Sequence, residues 1–137
     1  MAFWLVKSEP ASWSWTQMVE AGRTGTPWNG VRNHVAKNHL KSMALGDEAF
    51  FYHSNEGKEI VGIVAVIKLF YPDPSDEGGK FGMVDFRAMK PLARPVPLSV
   101  IKEEPALASM ILVNNSRLSV QPVTPDEWRI VCRMGGL

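Results

Sequence analysis

Three strand-like segments follow one another in the middle of the chain with no helical pattern between them. They cover residues 48–54, 58–71 and 81–88, and the second is apolar on both faces over its first half, as in a central strand. Because regular strand–helix alternation is missing, this order favours a mixed sheet closing into a small β-barrel with peripheral helices over a doubly wound fold. Gly62 inside the second segment predicts a bulge or a close approach of the backbone. The predicted fold class is therefore α+β.

Residues that start and stop helices and strands predict the elements around these segments. Ser12 is a candidate N-cap, and Thr124 with Glu127 forms a capping box around a proline at the first helical position. Three prolines within residues 91–97 are expected to end the third strand segment. The other predicted elements are a strand at 3–6, helices at 13–21, 33–43 and 99–104, helical turns at 107–113, an extended segment at 118–123 and a final helix from 125.

Size and composition limit the class of protein. A chain of 137 residues has the usual size of one domain, and we expect a single domain over residues 1–137. The formal net charge is only +1, so attraction for nucleic acid must come from a local patch. The lone Cys132 cannot form an internal disulfide or a multi-cysteine zinc site. Without a signal-peptide pattern or an apolar run longer than residues 60–67, we expect a cytoplasmic protein with no membrane partner, and a monomer.

The loop 28–33, Trp-Asn-Gly-Val-Arg-Asn, carries the most distinctive chemistry of the sequence. It combines a large aromatic face, a flexible turn, a fixed positive charge and two amides, directly before a helical pattern. No acidic residue lies within 21–46, which contains Arg32, Lys37 and Lys41. A basic loop of this kind that opens a helix suits a phosphate-bearing partner with an accessible base. The alternative is a tryptophan that fills the core beside an ordinary solvated helix, and the sequence leaves both open.

Polar side chains also cluster at the ends of predicted strands. The clusters are Lys7, Ser8 and Glu9, then Tyr52 with Ser54, and Arg117 with Ser119. The Glu9 carboxylate could accept a hydrogen bond from the exocyclic amine of a base. Alternation along a strand places Tyr52 and Ser54 on the same face, where a hydroxyl could orient a ligand. Each cluster has a plainer interpretation, as a solvated turn, a satisfied core tyrosine or a surface loop.

Arrangements typical of enzymes are weakly represented. The sequence has neither a glycine-rich phosphate loop nor a Gly-x-Ser-x-Gly elbow. His34, His39 and His53 lack the spacing of metal ligands. Ser54 and His53 are adjacent on a strand and point to opposite faces, so they cannot share a proton directly. We therefore predict no catalytic residue, no metal and no cofactor.

Several motifs occur in order along nearly the whole chain. They are Phe-Trp-Leu-Val-Lys-Ser-Glu-Pro at 3–10, the loop 28–33, Gly-Asp at 46–47 leading to Phe-Tyr-His-Ser at 51–54, and Arg-Leu-Ser-Val-Gln-Pro-Val at 117–123 with Glu-Trp at 127–128. Together they resemble the EVE domain of the PUA-like superfamily, in its stand-alone bacterial form. The resemblance implies a small mixed β-barrel with surrounding helices, a pocket at one side, and binding of modified bases in DNA or RNA. Asn29 departs from the aspartate usual in the family, which could alter base choice or reflect only a turn requirement.

The residues and the resemblance together predict a non-catalytic reader that binds a modified nucleobase of DNA or RNA in an aromatic-lined pocket. The predicted base-binding residues are Ser8, Glu9, Trp28, Asn33, Tyr52, Ser54 and Ser119. The predicted phosphate-binding residues are Lys7, Arg32, Lys37 and Lys41. One alternative is a small amidohydrolase-like enzyme acting on an acylated nucleoside, with Lys7 and Glu9 as activating base and proton carrier. Another is a protein-interaction module with a vestigial pocket.

Overall fold

The structure, a computed structural model, describes residues 1–137 as one six-stranded mixed sheet flanked by helices. The strands are β1 (Phe3–Ser8), β2 (Thr26–Pro27), β3 (Glu48–His53), β4 (Glu59–Pro72), β5 (Gly82–Pro97) and β6 (Val120–Val123). The helices are α1 (Trp15–Glu20), α2 (His34–Ser42), α3 (Leu98–Glu103), α4 (Ile111–Asn114) and α5 (Pro125–Met134), with 3₁₀ turns at Gly22–Thr24 and Pro105–Leu107. Even α5, with ten residues, falls short of the length that spanning a bilayer requires, and no helix is a membrane-span candidate.

The strand order is β2-β5-β4-β3-β1-β6, and only β1 and β3 run parallel. The predicted α+β class, with a mixed sheet and peripheral helices, is confirmed. The sheet is nevertheless open, because β2 and β6 at its two ends are not paired with each other. Helix α2 contacts both β5 and β6 and buries Ala36 and Leu40. A helix therefore occupies the place where a closed barrel would have strand pairing.

Apolar clusters cover both faces of the sheet. One cluster packs α1 and α2 against the sheet through Met18, Leu40, Val6, Phe51, Val64 and Phe86. The other packs α3, α4 and α5 against the opposite face through Ile101, Leu112, Trp128, Leu5, Phe50 and Tyr52. Because successive side chains of a strand point to opposite faces, neighbours in β1 and β3 belong to different clusters. Burial on both faces explains why these strands contain continuous apolar runs.

The prediction for Gly62 is confirmed. The pairing of β4 with β5 shifts register between Ile60 and Gly62. A Cβ atom at this glycine would overlap the ring of Trp15, at the start of α1. Glycine is therefore required here because the indole packs directly on the strand backbone.

Helix caps explain where three helices begin. The Asn33 side chain accepts a hydrogen bond from the Ala36 N–H at 2.9 Å, so α2 starts as predicted. Thr124 and Glu127 form the predicted capping box of α5. The predicted cap Ser12 is wrong, because Ser14 caps α1 in a reciprocal capping box with Gln17.

Strand β5 is much longer than predicted. It continues to Pro97, although prolines at 91, 95 and 97 were expected to end it. Strand β2 pairs with β5 only at Phe86 and Asp85, so the later half of β5 has a strand neighbour on one side only. Proline is tolerated on such an edge because the hydrogen bond it cannot donate is not needed there.

Candidate functional site

The carboxyl ends of the parallel strands β1 and β3 meet at one edge of the sheet. Ser8 is paired with His53 in the ladder, and the Ser54 N–H donates to the Ser8 carbonyl at 2.9 Å. Lys7 is paired with Tyr52 one position earlier. Alternation therefore places Ser8 and His53 on one face and Lys7 and Tyr52 on the other. Two separate cavities lie at this edge, and Lys7 lines both.

The larger one, the Trp28 cleft, has a volume of about 600 Å³. Its lining combines polar side chains with apolar surface and comes from the end of β1, the segment before α1, β2 and the following loop. The lining residues are Lys7, Ser8, Glu9, Ser12, Trp13, Thr26, Pro27, Trp28, Asn29 and Gly30. The cleft thus brings together three of the predicted base-binding residues, namely Ser8, Glu9 and Trp28.

Backbone and side-chain hydrogen bonds hold the wall of this cleft that residues 8–13 form. The Ser8 hydroxyl donates to the Trp13 carbonyl at 2.5 Å, and the Glu9 carbonyl accepts the N–H groups of Ser12 and Trp13 at 2.9 Å each. The Trp13 indole N–H donates to the Met18 sulfur at 3.3 Å. These bonds orient a half-buried indole toward the cleft while the Glu9 side chain stays exposed at its rim. An aromatic surface and a carboxylate are therefore presented side by side.

Trp28 belongs to the core and to the cleft at once. It is only 8% exposed, and its ring makes edge-to-face contacts with Phe51 and Phe86 at centroid distances of 5.7 Å and 5.4 Å. Its backbone N–H donates to the Val84 carbonyl at 2.8 Å. The sequence left open whether this tryptophan fills the core or lines a binding surface. Its ring is packed in the core, and the residue also lines the cleft.

Asp73 anchors the loop 28–33. The buried carboxylate of Asp73 accepts the Gly30 N–H at 2.8 Å and pairs with the Arg32 guanidinium at 3.2 Å. It also accepts the N–H and the hydroxyl of Ser75. Burial opposes ionisation of this carboxyl, but the hydrogen bonds from Ser75, Gly30 and Arg32 outweigh it and lower the pKa of Asp73 from 3.8 to about 2.

The low pKa of Asp73 predicts a specific loss of stability in acid. A depressed folded-state pKa stabilises the protein fully above the unfolded value near 3.8, and this contribution disappears as pH falls toward 2. We expect Asp73→Asn to lower the free energy of unfolding by about 2 kcal/mol at pH 7, with a difference from the parent protein that shrinks between pH 4 and 2. Urea denaturation across this range measures it.

Asp126→Asn is the matched control for that experiment. The Asp126 side chain is 80% exposed and pairs only with Arg129 on the same helix, so its loss should cost little at any pH. A pH-independent difference for Asp73→Asn would contradict the assigned pKa.

A basic surface, which we call the basic groove, lies beside the loop 28–33. It has a volume of about 590 Å³, and its lining residues are His34, Lys37, Lys41, Phe70, Pro72, Gly79, Lys80 and Phe81. The Lys37 ammonium lies 5.6 Å from the Phe81 ring centre, and the Lys41 ammonium lies at the same distance from Phe70. Two predicted phosphate-binding lysines thus share one groove with two aromatic rings. Arg32 approaches the same Phe81 at 5.8 Å, while its guanidinium remains paired with Asp73.

The smaller cavity at the sheet edge, the lysine cavity, has a volume of about 280 Å³. Its lining residues are Lys7, Tyr52, Ser54, Asn55, Lys58, Leu98, Lys102, Leu112 and Ser116. The Lys7 ammonium donates to the Ser116 carbonyl at 2.7 Å and lies 5.7 Å from the Tyr52 ring centre. Burial lowers the pKa of Lys7 and raises the pKa of Tyr52, so the tyrosine keeps its proton near neutral pH.

The predicted base-binding residues are thus divided among different places. Tyr52 and Ser54 line the lysine cavity because they project from the opposite face of β3 to His53. Asn33 caps α2 and lines a small separate cavity with Arg117. Ser119 is half-buried, and its carbonyl accepts the Lys7 N–H at 3.0 Å. None of these four lines the Trp28 cleft, and contact with a base stays a prediction for each of them.

His53 has a structural partner rather than a catalytic one. Its Nε2 atom accepts the Trp15 N–H at 3.1 Å, and its ring packs against Phe51. Burial lowers the pKa of His53, while Glu59 partly opposes that effect. Ser54 lines the cavity on the other face of the sheet, so the two side chains form no serine–histidine pair. The structure also contains no cluster of three histidine, cysteine or acidic residues suited to a metal ion.

Three residues at this site were missed by the sequence predictions. Trp13 was assigned to a helix, although the Ser14–Gln17 capping box starts α1 later and leaves Trp13 facing the cleft. Asn29 lines the cleft directly, yet the sequence marked it only as a departure from a motif. Asp73 lies between the second and third predicted strand segments, where its spacing of two residues from a serine indicates an Asx turn.

Comparison with known proteins places this geometry in a family. The model of the EVE domain matches residues 2–134. A protein from Rhodopseudomonas palustris is 60% identical with a TM-score of 0.94, over 99% of this chain and 94% of that one. The human THYN1 protein, solved in complex with 5-methylcytosine-containing DNA, is 32% identical with a TM-score of 0.92, over 100% of this chain and 99% of that one.

One relative is longer than this chain, which matches only part of it. Thymocyte nuclear protein 1 of Gallus gallus is 36% identical over 93% of this chain and 66% of its own length. The chain therefore spans about two thirds of the length of this relative.

Proposed function

Because this chain belongs to the EVE domain family, we propose that it captures a modified nucleobase of DNA or RNA in the Trp28 cleft. The observation that carries the proposal is the composition of that cleft, where two indoles stand beside a carboxylate and an amide. The first candidate ligand is 5-methylcytosine in DNA, because the similar human THYN1 protein was solved in complex with DNA that contains this base. We expect the protein to act by binding and not by turnover.

The cleft offers both kinds of contact that an extruded base needs. Trp13 and Trp28 supply apolar surface for its flat ring, and stacking contributes about 1–3 kcal/mol per base. The exposed Glu9 carboxylate is suited to accept a hydrogen bond from the exocyclic amine of a cytosine. Asn29 offers a donor and an acceptor at the same rim. We assign Ser8 to positioning, because its hydroxyl is already bonded to the Trp13 carbonyl.

Stacking alone gives the cleft no selectivity, which must come from its polar groups and its shape. Flipping a base out of a duplex costs a few kcal/mol, which is about what stacking returns. Stacking also tolerates every base, because each has a π-face. Discrimination among bases must then come from the Glu9 carboxylate and the Asn29 amide, whereas discrimination of a modified base from its unmodified form must come from the fit around the added group.

Lysine residues of the basic groove are proposed to hold the phosphates that flank the base. Lys37 and Lys41 lie there beside two half-buried aromatic rings, whereas the charge of Arg32 is largely compensated by Asp73. With a net charge of +1 the protein has no strong overall field, so affinity should depend on this patch and weaken with salt. Lys7 stands apart, at the border of the two cavities of the sheet edge.

A binding panel tests the proposal. Short DNA and RNA strands with and without modified cytosine or adenine are titrated at two salt concentrations. We expect a preference for one modified base, and Glu9→Gln should lower the affinity for strands that carry this base about tenfold by weakening one charge-assisted hydrogen bond. Glu20→Gln, an exposed change on α1 outside the cleft, should leave this affinity unchanged. Equal affinity of the parent protein for modified and unmodified strands would overturn base capture.

A further inference from the structure

We propose that the lysine cavity is a separate binding site for a phosphate group of the nucleic-acid strand whose base enters the Trp28 cleft. The proposed base reader needs phosphate contacts, but this cavity lies on the other face of the sheet edge from Ser8, away from the basic groove. In naming the source of the phosphate the inference rests on the proposed function. The site itself stands on the residues that line the cavity.

Charge is the first support for an anion site. Lys7, Lys58 and Lys102 line the cavity, and no carboxylate is among the lining residues. No salt bridge in the structure involves any of the three ammonium groups. Three positive charges around a space of about 280 Å³ create a local field that a small anion would relieve.

Hydroxyl groups supply the second support. Tyr52 lines the cavity, and its hydroxyl makes no hydrogen bond to the protein but keeps access to the open space of the cavity. Ser54 and Ser116 add two further hydroxyls to the lining. A phosphate oxygen in the cavity would accept the hydrogen bond that Tyr52 can donate.

The backbone holds one of these lysines in an unusual conformation. Lys58 has φ of 48° and its carbonyl accepts the Leu98 N–H at 2.9 Å, while Asn55 in the same turn has φ of 68°. Left-handed backbone is uncommon for lysine and persists only where the surrounding structure holds it. Here the turn fixes Lys58 in the wall of the cavity that Lys102 also lines.

Lys7 connects this site to base capture. It is the one residue that lines both the lysine cavity and the Trp28 cleft. A phosphate in the cavity and a base in the cleft would therefore lie on either side of a single side chain. That arrangement suits adjoining parts of one strand that bends over the end of β1.

The first test removes the two exposed charges of the cavity. Asparagine replaces Lys58 because it tolerates positive φ, and the double variant Lys58→Asn/Lys102→Gln is titrated with the preferred single strand over a range of salt. We expect the slope of log affinity against log salt to fall by about 0.7, as for loss of one phosphate contact. Preference for the modified base should stay unchanged.

The control variant Lys90→Gln/Arg133→Gln removes two exposed positive charges that line none of the three surfaces. It should leave the salt slope as in the parent protein. An equal fall of the slope in both double variants would mean that only overall charge matters, and would overturn the site.

The second test uses inorganic phosphate with the protein alone, followed by amide NMR shifts. We expect saturable shifts at Tyr52, Ser54 and Ser116 that are lost in Lys58→Asn/Lys102→Gln. Strands with and without a 5′-phosphate then separate the sources, and a response only to the terminal phosphate would overturn the assignment to an internal phosphodiester. Absence of phosphate shifts would overturn the site while base preference stands, whereas phosphate binding without base preference would overturn only the proposed function.

Discussion

Trp28→Ala should lower the free energy of unfolding by about 3–5 kcal/mol, the usual cost of removing a large buried aromatic side chain. The ring is 8% exposed and joins the Phe51 and Phe86 rings in the apolar cluster between the sheet and α2. Alanine would leave a cavity that the surrounding strands cannot close, because both partners project from paired strands of the sheet. Urea denaturation followed by circular dichroism measures this loss.

Trp28→Phe is the matched variant, because it keeps an aromatic ring against Phe51 and Phe86. It should lose less than half as much stability as Trp28→Ala. A cost below about 1 kcal/mol for alanine would show that the ring is not packed as described. If the large cost is found, weaker nucleic-acid binding by Trp28→Ala reports damage to the fold as well as loss of stacking, and other residues must test the cleft.

Local signals in the sequence predicted the fold class and most elements. The capping box at Thr124 and the cap at Asn33 depend only on residues three positions apart, so the helix starts followed directly from the sequence. Gly62 was predicted correctly because a glycine inside an apolar strand usually marks a bulge or a close backbone contact. The length of β5 and the open sheet could not be predicted, because both depend on which strands become neighbours and on α2 filling the remaining gap.

The site was predicted only in part for a related reason. Ser8, Glu9 and Trp28 reach one cleft because the end of β1 and the loop after β2 meet in space. Tyr52 and Ser54 were correctly placed on one face of their strand, but sequence periodicity does not say which cavity that face lines. The pairing of β1 with β3 decides this, and it is a contact between residues more than 40 positions apart.

The predicted phosphate-binding residues also differ in whether they are ion-paired, which the sequence did not show. In the sequence, Arg32 and Lys37 are equivalent positive charges near one loop. In the structure Arg32 is paired with the buried Asp73 carboxylate, while Lys37 lies over an aromatic ring of the basic groove. The first residue mainly orders the loop, and the second remains available to a partner.

Trp13→Ala should lower affinity for the strand with the preferred modified base about 10- to 100-fold, as expected when one stacking surface is lost. Trp13 lines the Trp28 cleft, yet it is half-buried and lies outside α1, so its removal should damage the fold far less than Trp28→Ala. Strands without the modified base bind through their phosphates, so the variant should bind them with the affinity of the parent protein. Fluorescence anisotropy with both strands at one salt concentration measures the difference.

Two variants separate stacking from general loss of stability. Trp13→Phe retains a flat ring and should keep most of the affinity. Trp128→Phe changes an indole that stacks on Phe50 at 3.9 Å on the opposite face of the sheet, so it should reduce stability without changing the preference. Since stacking accepts any base, Trp13 should govern the strength of capture, and Glu9 the choice of a base that carries an exocyclic amine. An equal loss of affinity for modified and unmodified strands in Trp13→Ala would show that this indole contacts the strand without holding the modified base.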